Sequence, residues 1–212
     1  MYRDCSHSLD SGATVYPDDP PVNCTPHATH EADGYRVTNL ELGSHSGTHV
    51  DAPCHTEPEG RTLDSFSIET FVFDALLVDC RQKVAREPIR PADLPEPTDD
   101  DLLVFRTGWD THWGTDDYFD HPYLTRETAR WCTDHDYHVA IDALNVDPTP
   151  TENATEGEPE GVPAHRKLLG TDHLILENLT NLDGLPRQFR LTAFPLSVED
   201  ADGAPVRAVA EY

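Results

Sequence analysis

Residues 45–55 of the chain read HSGTHVDAPCH. Three imidazoles and one carboxylate, from His45, His49, His55 and Asp51, fall within these eleven residues. Neutral imidazole and carboxylate are ligands that zinc and manganese accept, and the glycine and proline between them disfavour a regular helix. In an extended strand, residues two apart share a face, so these odd-numbered side chains are predicted to converge on one pocket.

Two other interpretations of this histidine cluster stay open on the residues alone. The side chains can be surface histidines on a polar loop, or they can hold a structural zinc, although structural sites favour cysteine ligands. Helix-borne zinc chemistry is excluded, because the motif HExxH is absent: His30-Glu31 is followed by Ala-Asp-Gly. A nucleophilic role for Cys54 beside His55 is disfavoured, since its opposite parity predicts that the thiol packs inward.

The second half of the chain supplies the remaining candidate ligands. His165 begins the turn HRKLLG, and Glu177 ends the apolar run HLILEN. A carboxylate at the end of a buried strand is costly unless a cation pairs with it. Arg166 or a metal ion would serve, so Glu177 is either a metal ligand or one half of a buried ion pair.

The charge balance excludes several classes of partner. The 212 residues include 40 Asp and Glu against 15 Lys and Arg, a formal net charge of −25. Nucleic-acid binding needs a basic face that displaces counterions from phosphates, and an anionic membrane surface repels such a chain; neither partner is expected. Only Lys83 and Lys167 are lysines, and an acidic, lysine-poor surface suits a protein that stays soluble in high salt.

The remaining composition predicts a soluble cytoplasmic protein with a single domain over residues 1–212. The start, MYRDCSHSLDSG, has no apolar core that could act as a signal peptide. The longest mostly apolar stretch, residues 71–80, is too short to span a bilayer and contains Asp74 and Asp79. The five cysteines are odd in number and lack CxxC spacing, which argues against a disulfide framework and a cysteine zinc knuckle.

Hydrophobic patterning predicts a mixed α/β domain with a mixed sheet. Runs rich in Val, Leu, Ile and Phe, bounded by Gly, Pro or Asp, predict six strands: residues 75–79, 102–106, 138–142, 174–177, 190–194 and 206–212. A helix is predicted over residues 125–135, capped by Thr125, and a helical turn over residues 165–169. Residues 147–163 contain almost nothing apolar and are predicted to form a surface loop.

The run at residues 45–55 resembles the HxGTHxDxPxH signature of the cyclase family, whose best-understood members are bacterial arylformamidases. Further blocks similar to the family follow along most of the chain: residues 4–6, 15–20, 60–64, 106–109 and 140–142, with the HRxLLG turn at His165 and the LEN at Glu177. The sequence departs from the family pattern at Asp18, where the family's aromatic-Pro-Gly-Asp-Pro turn usually has glycine.

The resemblance implies a binuclear metal centre, usually of zinc (Zn2+, two ions per subunit) and in some members of manganese (Mn2+). Five residues match the family's metal ligands: His45, His49, Asp51, His165 and Glu177. Asp51 matches the ligand that bridges the two ions. His55 matches the histidine that serves as general acid and base, and all of these positions are intact.

The resemblance also implies an α/β fold of the swivelling β/β/α type, with a mixed, barrel-like β-sheet and outer helices, assembled as a homodimer or homotetramer. The implied activity is hydrolysis of an aryl formamide, with N-formyl-kynurenine, cleaved to kynurenine and formate in tryptophan catabolism, as the leading small-molecule substrate. A cyclic amide, as in isatin-hydrolase-like relatives, or a lactone on the same centre is the alternative. A non-catalytic metal-binding protein is the second alternative.

Aromatic residues near the signature are candidates for an apolar slot that would hold a benzenoid substrate. These candidates are Tyr16, Phe66, Trp109 and Trp113. Each of them has the alternative role of a core or lid residue, because aromatic side chains dominate protein interiors as well as binding sites.

Overall fold

The computed structural model describes residues 1–212 and contains twelve strands and three helices. The strands are β1 (Tyr2–Asp4), β2 (Asn23–Ala28), β3 (Val37–Glu41), β4 (His49–Asp51), β5 (Val72–Asp79), β6 (Pro88–Ile89), β7 (Leu102–Arg106), β8 (Tyr123–Leu124), β9 (His138–Ile141), β10 (Ile175–Glu177), β11 (Gln188–Pro195) and β12 (Gly203–Glu211). The helices are α1 (His30–Asp33), α2 (Arg126–Asp134) and α3 (Pro163–Leu169). Short 3-10 turns, among them Pro53–His55 and Trp109–His112, join several of these elements.

Eight strands form one large sheet in the order β1-β12-β11-β5-β7-β9-β10-β4. Strands β5, β7, β9 and β10 run parallel to one another, and β11, β12 and β4 join them through antiparallel pairs. Because β4 also pairs with β12, the sheet closes on itself, and β1 pairs with the far end of β12. The expected mixed, barrel-like sheet is confirmed.

Alternate residues of the central strands enter two separate hydrophobic cores. Along β7, Leu102 and Val104 pack inside the closed sheet. Leu103 and Phe105 point the other way and pack against side chains of α2 and α3, which cover the outer face. Strand β7 is therefore buried on both sides, which is why it reads as a continuous apolar run rather than an alternating one.

The elements expected from patterning are present with small shifts in their ends. The six expected strands are β5, β7, β9, β10, β11 and β12. The expected helix is α2, and the Thr125 hydroxyl accepts a hydrogen bond from the Thr128 amide at its start. Helix α3 begins two residues before the expected turn, because Pro163 suits the first turn of a helix. The patterning missed β2 and β3, in which Ala28 is the only buried residue.

The expectation that residues 147–163 form a surface loop is wrong for the first part of that segment. Asp147 and Thr149 are fully buried. The buried guanidinium of Arg86 pairs with Glu158 and donates a hydrogen bond to the Thr149 carbonyl oxygen. A buried charge needs such partners to offset its lost hydration. Arg86, which lies outside the segment, thus holds these polar residues against the body of the protein through charge and hydrogen bonds, so the segment needs no apolar pattern.

No helix of the structure is both long enough and apolar enough to cross a lipid bilayer. All five cysteines are free thiols. Burial raises the pKa of both Cys80 and Cys132 to about 12, so these two side chains stay protonated and pack as small apolar groups.

Acid is expected to destabilise the fold through His138 on β9. Its ring packs edge-on against Phe73 and His173, and its Nδ1 accepts a hydrogen bond from the Leu174 amide. Burial, reinforced by the neighbouring His173, lowers the pKa of His138 to about 4. Below the ordinary histidine pKa of ~6.5, the unfolded chain therefore binds more protons than the folded chain. The free energy of unfolding consequently decreases as the pH falls from about 6.5 to about 4, by at most ~3 kcal/mol.

Urea unfolding of the metal-stripped protein across this pH range tests the contribution of His138. In the variant His138→Asn, the amide oxygen still accepts from Leu174 but does not ionise. The free energy of unfolding of this variant should therefore change less between pH 6.5 and pH 4 than that of the unsubstituted protein. Equal pH dependence in both proteins would contradict the assignment.

Candidate metal centre

The antiparallel pairing of β4 with β10 brings a histidine and two carboxylates together. Glu177 lies directly opposite His49, and Ile175 lies opposite Asp51. Val50 points into the closed sheet, so its neighbours His49 and Asp51 point to the opposite face. The three polar residues His49, Asp51 and Glu177 are each no more than 4% exposed.

Helix α3 adds His165 to this face of the sheet. The Asp147 carboxylate accepts hydrogen bonds from the Ala164 and His165 amides at 2.8 and 2.9 Å, which caps the start of the helix. The same carboxylate accepts from His165 Nδ1 at 2.9 Å. Nε2 of His165 is left free and lies 3.6 Å from Asp51 Oδ2 and 3.4 Å from Glu177 Oε1.

Asp51 lies at the centre of the cluster and presents one carboxylate oxygen to each side. Oδ1 lies 2.7 Å from His45 Nδ1 and 3.1 Å from His49 Nε2. Oδ2 faces His165, is buried and has no hydrogen-bond partner. An unpartnered buried carboxylate oxygen is costly, and a divalent cation would satisfy it. The donor atoms form two groups that share Asp51: His45–His49–Asp51 and Asp51–His165–Glu177.

A backbone carbonyl holds His49 in its orientation. Nδ1 of His49 donates to the Gly47 carbonyl oxygen at 2.8 Å, so Nε2 is the nitrogen that faces Asp51. The same carbonyl oxygen accepts from the Asn178 side-chain amide at 3.0 Å. Gly47 has a φ of 63°, a left-handed conformation that glycine adopts without strain. An acceptor for the second ring nitrogen is typical of metal-ligating histidines.

The carboxylates control the charge of the imidazoles in this cluster. Burial alone would lower the pKa of His45, but the adjacent Asp51 and Asp202 outweigh it and raise that pKa to about 10. Burial likewise favours the neutral form of Asp51, but the imidazoles of His49 and His45 hold its pKa well below the ordinary value. Because a cation binds the neutral ring, metal binding here must release protons.

His45 and His55 lie at the open side of the cluster, outside β4. His45 lies in the turn before the strand, and His55 ends the 3-10 turn Pro53–His55. The ring centroids of His45 and His55 are 4.0 Å apart, and those of His55 and His165 are 5.9 Å apart. Parity along an extended strand explains the placement of His49 and Asp51 only, since turns deliver the other two histidines.

The cluster opens into a cavity of about 210 Å³. Besides the histidines and acids already described, its wall is formed by Tyr16, Asp19, Leu144, Asn145, Val162 and Asn178. This volume is smaller than the clefts of roughly 300 Å³ or more that hold drug-sized ligands, so the cavity suits a small molecule. The Tyr16 carbonyl oxygen accepts from the Asp19 amide. Asp18 between them has a φ of 73°, the left-handed conformation that glycine takes readily at this family position.

Of the four aromatic side chains proposed for substrate binding, three do not line this cavity. Phe66 packs beneath the Arg61 guanidinium, 3.7 Å from the ring centroid. Trp109 Nε1 donates a hydrogen bond to the Asp117 carbonyl oxygen. Tyr16 does line the cavity, whereas Phe66 and Trp109 do not.

The alternative of a buried ion pair between Glu177 and Arg166 is wrong. Arg166 lines a separate groove, together with Arg126 and Lys167. Glu177 Oε1 instead accepts a hydrogen bond from the Val146 amide, and the two carboxylate oxygens face His165 and His49. The remaining aromatic candidate, Trp113, stacks on His7 with the ring centroids 4.0 Å apart.

Two carboxylates of the site were missed from the sequence. Asp147, 18 residues before His165, orients that ring. Asp202 lies just before β12, and its Oδ2 is 3.0 Å from His45 Nε2. The only feature of the sequence that points to such carboxylates is a chemical requirement, because a ligand histidine needs an acceptor for its second ring nitrogen. With 40 acidic residues in the chain, that requirement selects none of them in particular.

Two groups of imidazole and carboxylate donors that share a buried aspartate can hold a pair of divalent cations. A partly exposed histidine beside them can move a proton to or from a small molecule in the cavity. On the outside of a closed mixed sheet, this arrangement defines an α/β protein with the machinery for metal-assisted hydrolysis. The family model described as putative cyclase matches residues 3–148, and the chain belongs to the cyclase family.

Curated relatives and solved structures extend the likeness over nearly the whole chain. A kynurenine formamidase of Salinibacter ruber is 30% identical, over 97% of this chain and 95% of its own length. A kynurenine formamidase of Erythrobacter litoralis is 31% identical, over 97% of this chain and 91% of its own length. Isatin hydrolase A from Ralstonia solanacearum has a TM-score of 0.84 at 22% identity, over 99% of this chain and 91% of that chain, which shows a shared fold.

Proposed function

We propose that this chain hydrolyses an aryl formamide, with N-formyl-kynurenine as the substrate and kynurenine and formate as the products, in tryptophan catabolism. Water adds to the formyl carbon, the bond from that carbon to the aromatic amine breaks, and the amine nitrogen takes up a proton. The two donor groups that share Asp51, whose Oδ2 has no hydrogen-bond partner, carry the proposal. The two relatives named kynurenine formamidase support the choice of substrate.

The donor set of the cluster fits divalent cations. Five residues would hold them: His45, His49, Asp51, His165 and Glu177. We propose two zinc ions per chain, with manganese as the alternative, since imidazole and carboxylate ligands without cysteine suit both metals. Such ions supply water that is acidified toward neutral pH, together with polarisation of the amide carbonyl.

The chain's own contacts prepare the ligands for this task. Asp147 accepts from His165 Nδ1, and the Gly47 carbonyl oxygen accepts from His49 Nδ1. Each contact places the ring proton on the nitrogen that faces away from Asp51, which leaves the Nε2 lone pair directed into the cluster. These two contacts support the proposed role of both rings as ligands through Nε2.

His55 is the group proposed to transfer the proton in this reaction. An aromatic amine leaves poorly as an anion, so its nitrogen must be protonated as the C–N bond breaks. His55 lines the cavity, and 33% of its side chain is exposed. It can therefore reach a bound molecule and exchange its proton with solvent, which a fully buried ligand such as His49 cannot do as readily.

Stripping the metal is expected to abolish turnover, and reloading is expected to restore it. The protein would be treated with chelator and reloaded in high salt with zinc or manganese, and loss of N-formyl-kynurenine would be followed by absorbance. Magnesium serves as the control ion, because it prefers oxygen ligands and gives up water reluctantly. Turnover should return with zinc or manganese and remain low with magnesium.

The same assay separates the proposed substrate from its alternatives. A cyclic amide such as isatin, or a lactone, would be offered to each metal-loaded sample in parallel. Hydrolysis of the cyclic substrate without turnover of N-formyl-kynurenine would contradict the formamidase proposal and favour the alternative on the same centre. Stoichiometric metal binding with turnover of neither substrate would favour a non-catalytic metal-binding protein.

A further inference from the structure

A third carboxylate, Asp202, joins the two histidines at the open side of the site. Its Oδ2 lies 3.0 Å from His45 Nε2 and 3.5 Å from His55 Nδ1. The first distance is that of a normal hydrogen bond. The second is an ion-pair contact that is longer than a hydrogen bond, as contacts between catalytic groups often are before a substrate binds. No other carboxylate lies within 4.0 Å of a His55 ring nitrogen. One oxygen thus serves both a candidate ligand and the candidate proton-transfer group.

The backbone of Asp202 is fastened to the segment that carries the site. Its carbonyl oxygen accepts a hydrogen bond from the Ala52 amide at 2.8 Å, and the next residue, Gly203, pairs with Asp51. A Cβ on Gly203 would lie 2.6 Å from His45 Cε1, so the His45 ring can lie here only over a glycine. Asp202 and the rings that it contacts are therefore held in a defined arrangement.

We propose that Asp202 is a positioning residue that orients the His45 ring and fixes the tautomer of His55. The inference rests on the proposed function, since it concerns how the proton-transfer histidine of that reaction is prepared. A carboxylate oxygen only accepts, so each contacting ring nitrogen must carry a proton. Nε2 of His55 is then the nitrogen left to exchange a proton with a bound molecule. His45 contacts a carboxylate through each ring nitrogen, Asp202 through Nε2 and Asp51 through Nδ1, so Asp202 holds the orientation of this ring and does not select its tautomer.

Three variants test this role of Asp202. Asp202→Ala removes the acceptor, Asp202→Asn retains a neutral acceptor of the same size, and Asp200→Asn is the matched control. Asp200 lies two residues away, is exposed and has a φ of 55°, a conformation that asparagine tolerates. The Asp200→Asn variant therefore loses the same charge as Asp202→Asn at a residue that does not contact the site. With metal in excess, kcat for N-formyl-kynurenine should fall about 10- to 100-fold in Asp202→Ala, and less in Asp202→Asn. The KM of both Asp202 variants should change little, and the Asp200→Asn enzyme should keep nearly the kcat and KM of the unsubstituted protein.

A second readout does not depend on substrate turnover. Long-range proton–nitrogen correlation spectra of the metal-stripped protein report which ring nitrogen of each histidine is protonated, and His55→Ala identifies the His55 signals. Asp202→Ala should shift His55 away from the Nδ1-protonated form, whereas Asp200→Asn should leave it unchanged. Because wild-type turnover tests the proposed function and these spectra test Asp202, failure of one is distinguishable from failure of the other.

Two results would overturn the role of Asp202. If Asp202→Ala keeps the His55 tautomer and a kcat within about twofold of wild type, Asp202 does not position the ring. If Asp202→Asn instead loses one bound ion per chain, Asp202 is itself a metal ligand with His45 and His55, whose donor atoms are close enough to share a cation. A retained tautomer in a variant with a lowered melting temperature would likewise assign Asp202 to stability alone.

Discussion

Asp51→Asn is expected to abolish metal binding and, with it, activity. Asparagine keeps the size of the side chain but replaces one carboxylate oxygen with an amide nitrogen that donates rather than coordinates. In the structure, Oδ1 of Asp51 faces His45 and His49, and Oδ2 faces His165. Loss of either oxygen as a donor therefore breaks one of the two groups that share this residue.

The expected size of the Asp51→Asn effect follows from what lesser changes do. Removing a residue that merely orients a ligand typically costs about 10- to 100-fold in metal affinity, so the loss of a shared ligand should exceed about 100-fold. Hydrolysis should slow by about a thousandfold or more, since metal polarisation contributes several kcal/mol and each ~1.4 kcal/mol is a factor of ten in rate.

Metal content by mass spectrometry and turnover, measured on the same samples, test the role of Asp51. Asp142→Asn is the matched control. Asp142 is also buried, but its oxygens accept from the Thr107 and Gly108 amides, away from the cavity. The control should be less stable but retain its metal. An Asp51→Asn protein that keeps two ions and normal turnover would show that Asp51 is not the shared ligand.

His55→Ala is expected to keep its metal and lose most of its kcat. Five other side chains supply the donors of the two groups centred on Asp51, so the removal of His55 leaves that set complete. General acid–base catalysis by a positioned histidine typically contributes about 10²- to 10⁴-fold, and kcat should fall by a factor in that range. KM should change less, because the cavity wall is otherwise intact.

Added imidazole makes the His55 test specific. The alanine variant leaves room beside His45 that imidazole can enter, and a base in solution should restore part of kcat if proton transfer is the missing step. His30→Ala is the control, because His30 lies on α1 and is exposed. A His55→Ala protein that has lost its metal would assign His55 to metal binding. A variant that keeps its metal but is not rescued by imidazole would contradict the proton-transfer role.

Much of the fold was predictable because its central strands are buried on both faces. The apolar runs of β7, β9 and β10 carry that burial in their composition, and the Thr125 cap marks the start of α2. Strands β2 and β3 carry no such signal, since they pair only with each other and Ala28 is their only buried residue. Their pairing depends on backbone hydrogen bonds, which composition does not record.

Residue chemistry alone indicated the candidate metal ligands, but not how they are supported. The spacing of His49 and Asp51 on a strand indicates both as ligands, and the helical turn that begins at His165 indicates the third. The contacts of Asp147 with His165 and of Asp202 with His45 join residues 18 and 157 positions apart. In a chain this acidic, no local pattern distinguishes a carboxylate that orients a ligand from one that is solvated at the surface.

The sequence by itself predicted a mixed sheet from local periodicity and a set of candidate imidazole and carboxylate donors from residue chemistry, and its resemblance to the cyclase family implied that the sheet is barrel-like. The tertiary structure alone decided which carboxylates orient the rings, that Tyr16 lines the cavity while Phe66 and Trp109 do not, and that Asp147 is buried. The physical reason is register. The pairing of β4 with both β10 and β12 places Glu177 and Gly203 beside the signature, and only closure of the sheet creates those two neighbours.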